Sequence, residues 1–125
     1  ADQSFPKSEK ITSKKVIKSV FRNGKQHYQY PLKIFFLDAQ ASTQEPPLKV
    51  LVSVPKKKFK KAVDRNKIKR QLREVFRLNK QQLLDRLQVS EKIARISIVY
   101  IAKKAEPYEL INKSYQSIIN QLPIE

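Results

Sequence analysis

The chain has 125 residues, and its 27 Lys and Arg against 11 Asp and Glu give a formal net charge of +16. It has no cysteine and a single glycine, which excludes disulfides, cysteine zinc sites and glycine-rich phosphate loops. The length suits one domain spanning residues 1–125, and the charge indicates a polyanionic partner.

Hydropathy gives no sign of a membrane protein. No apolar run approaches the roughly 18 residues of a transmembrane span, and the first residues lack the apolar region of a secretory signal. We therefore expect a cytoplasmic protein with no membrane partner.

The first segments are an arm and a short helix. Residues 1–11 are polar and show no period, so we interpret them as an extended or mobile arm. Ser13 can cap a helix that ends at Asn23-Gly24, where we expect a left-handed glycine. The apolar face of this helix consists of Val16, Ile17, Val20 and Phe21.

Two strands and a loop are predicted next. Residues 28–37 are rich in aromatic and branched side chains, which favours a strand, and Pro31 places it at an edge or at its beginning. Residues 38–47 are interpreted as a loop. Residues 48–54 form a second strand, which Pro55 ends.

A basic segment, residues 56–80, follows and contains 12 of the 27 Lys and Arg but only two acids, Asp64 and Glu74. Apolar residues recur there at helical spacing and predict a helix from Ala62 with one buried side; they are Ile68, Leu72, Val75, Phe76 and Leu83. A neighbouring arc carries Asn66, Lys69, Arg70, Arg73 and Arg77, with Arg65 on its border. We expect this helix to fray or bend near Asn79.

The simplest alternative for this arc is a solvated face that keeps a small domain soluble. Such a face normally mixes both signs of charge at spacings of three and four, whereas this arc stacks like charges. A membrane surface would require additional large apolar anchors. Nucleic acid is therefore the favoured partner.

The last segments complete a layered domain. Residues 93–102 are nearly all apolar and predict a central strand, and residues 108–122 predict a closing helix behind Pro107. Two or three strands thus precede the basic helix, and the fold class is α/β (α+β), a single small domain taken in the order α-β-β-β-α-β-α, with a sheet packed against helices.

The chain has few candidate catalytic residues. His27 is the only histidine, and the acids are scattered singly along the chain, so neither a general base with a partner nor a two-metal site is indicated. We predict no catalytic residue and no metal site in the protein. A recognition helix with a symmetric half-site is also missing, so no DNA partner is expected.

The stretches SVPKK at residues 53–57, KAV at 61–63 and RNKIKRQLRE at 65–74 resemble the signature of the protein subunit of bacterial ribonuclease P. The resemblance extends over nearly the whole chain through its element order. It implies a ribosomal-protein-like two-layer fold, in which a left-handed β-α-β crossover contains the basic helix.

The resemblance also implies a function. Members of this family assist a catalytic RNA that removes the 5′ leader of precursor tRNA with Mg²⁺, so the protein alone is expected to be inactive. The implied RNA-binding residues are Lys56, Lys57, Lys61, Arg65, Asn66, Lys67, Lys69, Arg70 and Arg73, to which the arc adds Arg77. Replacing Arg65 or Arg70 is expected to weaken RNA binding with little loss of stability.

A cleft for the single-stranded leader is implied as well. Phe21 and Phe35 match its aromatic lining, while Ile17 occupies a position where many members carry another aromatic residue. Packing in the core is an equally good interpretation of Ile17 and Phe21. The alternative function is a non-enzymatic RNA-binding protein of ribosomal or ribosome-assembly type.

Overall fold

The computed structural model describes residues 10–41 and 46–124. Most of the predicted N-terminal arm lies outside these residues. Its last two residues are extended, since Lys10 pairs in parallel with Val50 and the Ile11 N–H donates to the Val50 carbonyl at 3.0 Å.

The described chain forms three helices and four strands in the predicted order. They are α1 (Lys14–Asn23), β1 (Lys25–Gln29), β2 (Leu32–Gln40), β3 (Leu48–Ser53), α2 (Ala62–Ser90), β4 (Lys92–Tyr100) and α3 (Tyr108–Gln121). In the described part of the chain no helix is both long and apolar enough to cross a bilayer.

The strands form one sheet in the order β1-β2-β4-β3. β4 is interior, as predicted, and pairs antiparallel with β2 and parallel with β3 in the register Val50↔Ile96. Because α2 connects the parallel strands β3 and β4, these elements form the β-α-β crossover that the resemblance implies.

The main core lies between the sheet and the helices α2 and α3. All five apolar residues predicted for the buried side of α2 are buried, joined by Leu87, and they meet Ile34, Phe36, Ile96 and Ile98 of the sheet. Alternate strand residues point to the opposite face, where Phe35 packs with Val20 and Ile17 of α1. Helices α2 and α3 therefore cover one face of the sheet, and α1 packs on the other face.

Gly24 corrects the prediction of a left-handed helix end. Its φ of −69° and ψ of 145° are extended, and its N–H donates to the Val20 carbonyl at 2.9 Å. A Cβ placed there would lie 2.3 Å from the Val20 carbonyl oxygen. Close approach of the backbone, rather than a positive φ, is what requires glycine.

The strand predicted over residues 28–37 is two strands. The chain turns at Tyr30-Pro31, so that β1 and β2 form an antiparallel hairpin in the register Tyr28↔Lys33. β2 also continues to Gln40, three residues into the predicted loop. A continuous run of strand-forming residues concealed the turn.

The helix does not fray near Asn79, because α2 continues through Leu84 and Leu87 and is helical from Ala62 to Ser90. The Asn79 amide donates to the Val75 carbonyl at 2.8 Å and to Asn112 of α3 at 3.0 Å. Asparagine is unfavourable in helix interiors, but here Asn79 links α2 to α3 through this hydrogen bond.

Candidate nucleic-acid interface

The lysine-rich loop between β3 and α2, residues 56–61, is held at its base and here called the basic loop. Backbone N–H groups of Lys58 and Phe59 donate to the Pro55 carbonyl at 3.2 and 3.4 Å, and the Lys58 ammonium donates to the Ile101 carbonyl. The Phe59 ring is buried, 5.8 Å from that of Tyr100. The other four lysines, Lys56, Lys57, Lys60 and Lys61, are exposed around this anchored centre.

Arg65 fastens the loop to the first turn of α2. Its Nη1 donates to the Phe59 carbonyl at 2.6 Å and to the Lys60 carbonyl at 2.9 Å. The expectation that Arg65 can be removed with little loss of stability therefore needs correction. It holds the backbone that carries the lysines, in addition to any contact with RNA through its other donors.

The α2 residues that follow form a basic face: Asn66, Lys67, Lys69, Arg70, Arg73 and Arg77. Lys69 and Arg77 are half-buried and the others are exposed. Within the described residues, Lys67, Lys69, Arg70 and Arg73 make no ion pair with an acid. Among the described residues their mutual repulsion is thus not offset by an acid, which favours a bound polyanion.

Arg77 differs from its neighbours because Glu74 partly neutralises it. Its Nη2 lies 2.6 Å from Glu74 Oε1 and its Nε lies 3.2 Å from Oε2. The hydrogen bond from Arg77 lowers the pKa of Glu74, and the same bond raises the pKa of Arg77. Since the pair is partly exposed to solvent, it is weak.

The amino-terminal end of α2 adds positive potential beside the basic loop. Lys61 occupies the N-cap position without a side-chain hydrogen bond, so first-turn N–H groups remain without a cap. The helix dipole concentrates partial positive charge at the same place. The loop lysines, the first-turn N–H groups and the basic face lie side by side and form an electropositive surface.

The structure brings the three predicted cleft residues together on the second face of the sheet. The Phe21 ring meets Phe35 edge-on with centroids 4.8 Å apart, while Ile17 is half-buried beside them. Phe21 is 39% exposed but Phe35 only 9%. Phe21 therefore offers an accessible aromatic surface, whereas Phe35 supports it from the core.

Sequence reasoning missed Lys33 on this face. The Lys33 ammonium lies 5.3 Å from the centroid of the Phe35 ring, and Tyr28, which pairs with Lys33 across β1 and β2, is 64% exposed. Strand alternation, which puts Lys33 on the same side as Phe35, was the available signal. A cation and a phenol ring thus border the cleft.

A second missed group lies on the outer face of α1. Lys15, Lys18 and Arg22 border a shallow depression of about 250 Å³, and none of them makes an ion pair with an acid within the described residues. Their spacing along the helix was visible in the sequence. They add positive charge beside the cleft.

A narrow groove connects the two surfaces around the edge of β3. Its volume is about 140 Å³, and it is lined by Arg73 of the basic face, by Val50–Val52 and by Lys10, Ile11 and Thr12, which precede α1. Arg73 therefore reaches toward the side of the molecule that carries the cleft.

No group of three or more His, Cys, Asp or Glu side chains in the described residues is arranged to hold a metal ion. His27 faces the main core, and its Nε2 is buried without a hydrogen-bond partner among those residues. The acids and His27 thus form no metal cluster there.

Comparison with known proteins gives concordant results. A family model described as Ribonuclease P matches residues 5–122. A ribonuclease P protein component of Porphyromonas gingivalis is 34% identical over 110 residues, which cover 88% of this chain and 80% of the relative. One from Chlorobium phaeobacteroides is 30% identical over 128 residues, covering 95% of this chain and 88% of the relative.

Solved structures support the same fold. The Staphylococcus aureus RNase P protein superimposes with a TM-score of 0.69 at 18% identity, covering 93% of this chain and 96% of that chain. The RNase P protein from Thermotoga maritima superimposes with a TM-score of 0.67 at 21% identity, covering 91% and 97% of the two chains.

Proposed function

We propose a role in the enzyme ribonuclease P for this chain, which belongs to the ribonuclease P protein family. It is a ribonuclease P subunit and partners the RNA of that enzyme. We assign cleavage chemistry, including the use of Mg²⁺, to the RNA subunit. The protein's part is to bind that RNA and the 5′ leader of precursor tRNA in the cytoplasm.

The observation that supports RNA binding most strongly is the anchored basic loop beside the basic face, of which Lys67, Lys69, Arg70 and Arg73 make no ion pair with an acid among the described residues. Lys58 and Arg65 are used to hold backbone carbonyls, so the remaining lysines are presented on a fixed frame. Binding of phosphates there releases condensed counterions, which drives association and makes it salt-dependent. We assign this surface to the catalytic RNA.

The cleft is assigned to the leader because Phe21 is an exposed ring beside positive charge. Single-stranded bases stack on such rings with about 1–3 kcal/mol per base, and Lys33 and Tyr28 border the same face. Mature tRNA has no leader to stack there. The cleft therefore accounts for a preference for precursor over mature tRNA.

This division can be tested with Phe21→Leu, which keeps an apolar side chain but removes the ring. The complex with catalytic RNA should still assemble, while its preference for precursor over mature tRNA falls by about 1–3 kcal/mol in binding free energy. Arg70→Ala should instead weaken assembly and reduce the salt dependence of log K by about one unit. Filter-binding titrations at several salt concentrations measure both effects.

Tyr30→Leu is the matched control, because Tyr30 is 40% exposed, like Phe21, but lies in the β1–β2 turn outside the cleft. It should keep the full preference for precursor tRNA. An unchanged preference in Phe21→Leu would show that the leader binds elsewhere.

A further inference from the structure

A cavity of about 550 Å³ lies beside the basic face. It lies between the first turns of α2 and the loop that connects β4 to α3. Its lining includes Phe59, Asp64, Lys67, Ile68, Gln71 and Glu106. This volume is within the range of small-ligand sites, about 300–1,000 Å³. We call it the α2–α3 pocket.

Both walls of the pocket are fixed by hydrogen bonds. On the α3 side, the Tyr100 hydroxyl donates to the Lys104 carbonyl at 2.7 Å and accepts from the Glu106 N–H at 2.8 Å. On the α2 side, Arg65 holds the Phe59 carbonyl, and the Phe59 ring contacts Tyr100. The pocket is therefore formed before any ligand binds, which limits the entropy lost on binding.

The lining combines an apolar floor with a polar rim. Phe59 and Ile68 are buried side chains, so the floor suits a flat, apolar ring face. The rim carries the Lys67 ammonium, the Gln71 amide and the carboxylates of Asp64 and Glu106. Glu106 forms an ion pair with Lys104 at 3.7 Å, so Asp64 is the carboxylate that would repel a phosphate and would bind a ring with N–H donors on its edge.

Asp64 is the unusual member of this rim. Of the two acids in residues 56–80, Glu74 is paired with Arg77, while Asp64 makes no ion pair within the described residues. It weakens the attraction of this surface for phosphates, and its only evident internal benefit is to the helix dipole in the first turn. A hydrogen bond to a nucleobase would give Asp64 a second role.

We propose that the α2–α3 pocket binds one unpaired guanine of an RNA that lies on the basic face. Guanine presents adjacent N–H donors, N1–H and the 2-amino group, to a carboxylate, and its O6 accepts from an ammonium or amide N–H. Adenine offers a carboxylate no such adjacent pair. The inference rests on the proposed RNA-binding function and adds base selectivity to it.

The test compares binding of the full chain to the single-stranded RNAs UUGUU, UUIUU and UUAUU by fluorescence anisotropy. The guanine RNA should bind at least about tenfold more tightly than the adenine RNA, since a bidentate base contact discriminates by that order. Inosine, which lacks the 2-amino group, should be intermediate. Equal Kd values for all three would overturn the pocket but leave RNA binding intact, whereas no binding to any would overturn both.

Two charge-matched variants separate base reading from general electrostatics. Asp64→Asn should bind the guanine and adenine RNAs with nearly equal affinity, because the guanine RNA loses its base contact while the adenine RNA gains slightly from the lost negative charge. Asp85→Asn, at an exposed position far along α2, removes the same charge and should keep the guanine preference. If Asp64→Asn raised both affinities without changing their ratio, Asp64 would serve the helix dipole alone and the proposal would be wrong.

Discussion

Arg65 shows how a single residue can serve both the fold and the interface. A single guanidinium nitrogen, Nη1, donates to the two successive carbonyls of Phe59 and Lys60, while the guanidinium group has further donors on Nε and Nη2. Charged hydrogen bonds of this kind contribute more to stability than neutral ones. Arg65 therefore differs from Arg70, which is exposed and makes no ion pair with an acid within the described residues.

This difference predicts unequal stabilities. Arg65→Ala should lower the free energy of unfolding by about 1–3 kcal/mol through the lost loop contacts, while Arg70→Ala changes it by less than about 0.5 kcal/mol. Urea denaturation measures both. Arg65→Lys is the control that keeps the charge, and it should recover part of the lost stability, because an ammonium can still donate to a loop carbonyl. Equal stability of the Arg65→Ala and Arg70→Ala proteins would contradict the role given to Arg65.

Residue identities and helical spacing were enough to place most basic side chains on one face. They could not show that Lys58 holds the Ile101 carbonyl, which lies 43 residues further along the chain, nor that Arg65 bonds loop carbonyls. Such contacts depend on tertiary structure. Sequence therefore identified the charges of the site but not the residues that position them.

At the scale of elements, α3 is fixed to the rest of the fold by its buried residues and by hydrogen bonds from α2. Arg86 of α2 donates to the carbonyls of Ile119 and Leu122, both at 2.6 Å, and so satisfies the end of α3. Tyr115 is fully buried, and its hydroxyl has no hydrogen-bond partner among the described residues. An unpaired buried hydroxyl is destabilising.

Burial raises the pKa of Tyr115 above its ordinary value, which predicts a loss of stability in alkali. Below the ordinary tyrosine pKa of about 10 both states keep the proton, so stability is unaffected. Above it the unfolded chain releases the proton first, and unfolding becomes easier as pH rises. Tyr115→Phe should be more stable by about 1 kcal/mol at neutral pH and should lose less stability above pH about 10.

Thermal denaturation across that pH range measures both effects. Tyr28→Phe is the control, because Tyr28 is 64% exposed and its replacement should change neither quantity. A clear loss of stability in Tyr115→Phe would mean that the hydroxyl makes a contact that stabilises the fold.

The helices were well predicted because apolar periodicity and caps are local signals. Ser13 accepts from the Val16 N–H at 3.4 Å as the N-cap of α1, and the buried side of α2 matches its spacing. The β1–β2 hairpin and the conformation of Gly24 were not predicted. Both depend on tertiary structure, since a Cβ at Gly24 would meet the backbone of Val20 in α1 and of Phe36 in β2.

At the scale of the whole molecule, the parallel pairing of β3 and β4 gathers the interface at one end. Because both strands run in the same direction, the basic loop after β3 and the loop after β4 emerge together, and α2 begins beside them. The groove at Arg73 then leads around β3 toward α1 and the cleft. Strand order, which is not readable from sequence spacing, thus decides which charges meet.

The central claim is that this protein supports cleavage by a partner RNA and has no cleavage activity of its own. It is tested most directly by following 5′ cleavage of a precursor tRNA at low Mg²⁺ with the protein alone, with a bacterial ribonuclease P RNA alone, and with both. We expect no product from the protein alone, little from the RNA alone and strong stimulation by the pair. Cleavage by protein shown free of RNA, or no stimulation of the RNA, would contradict the account.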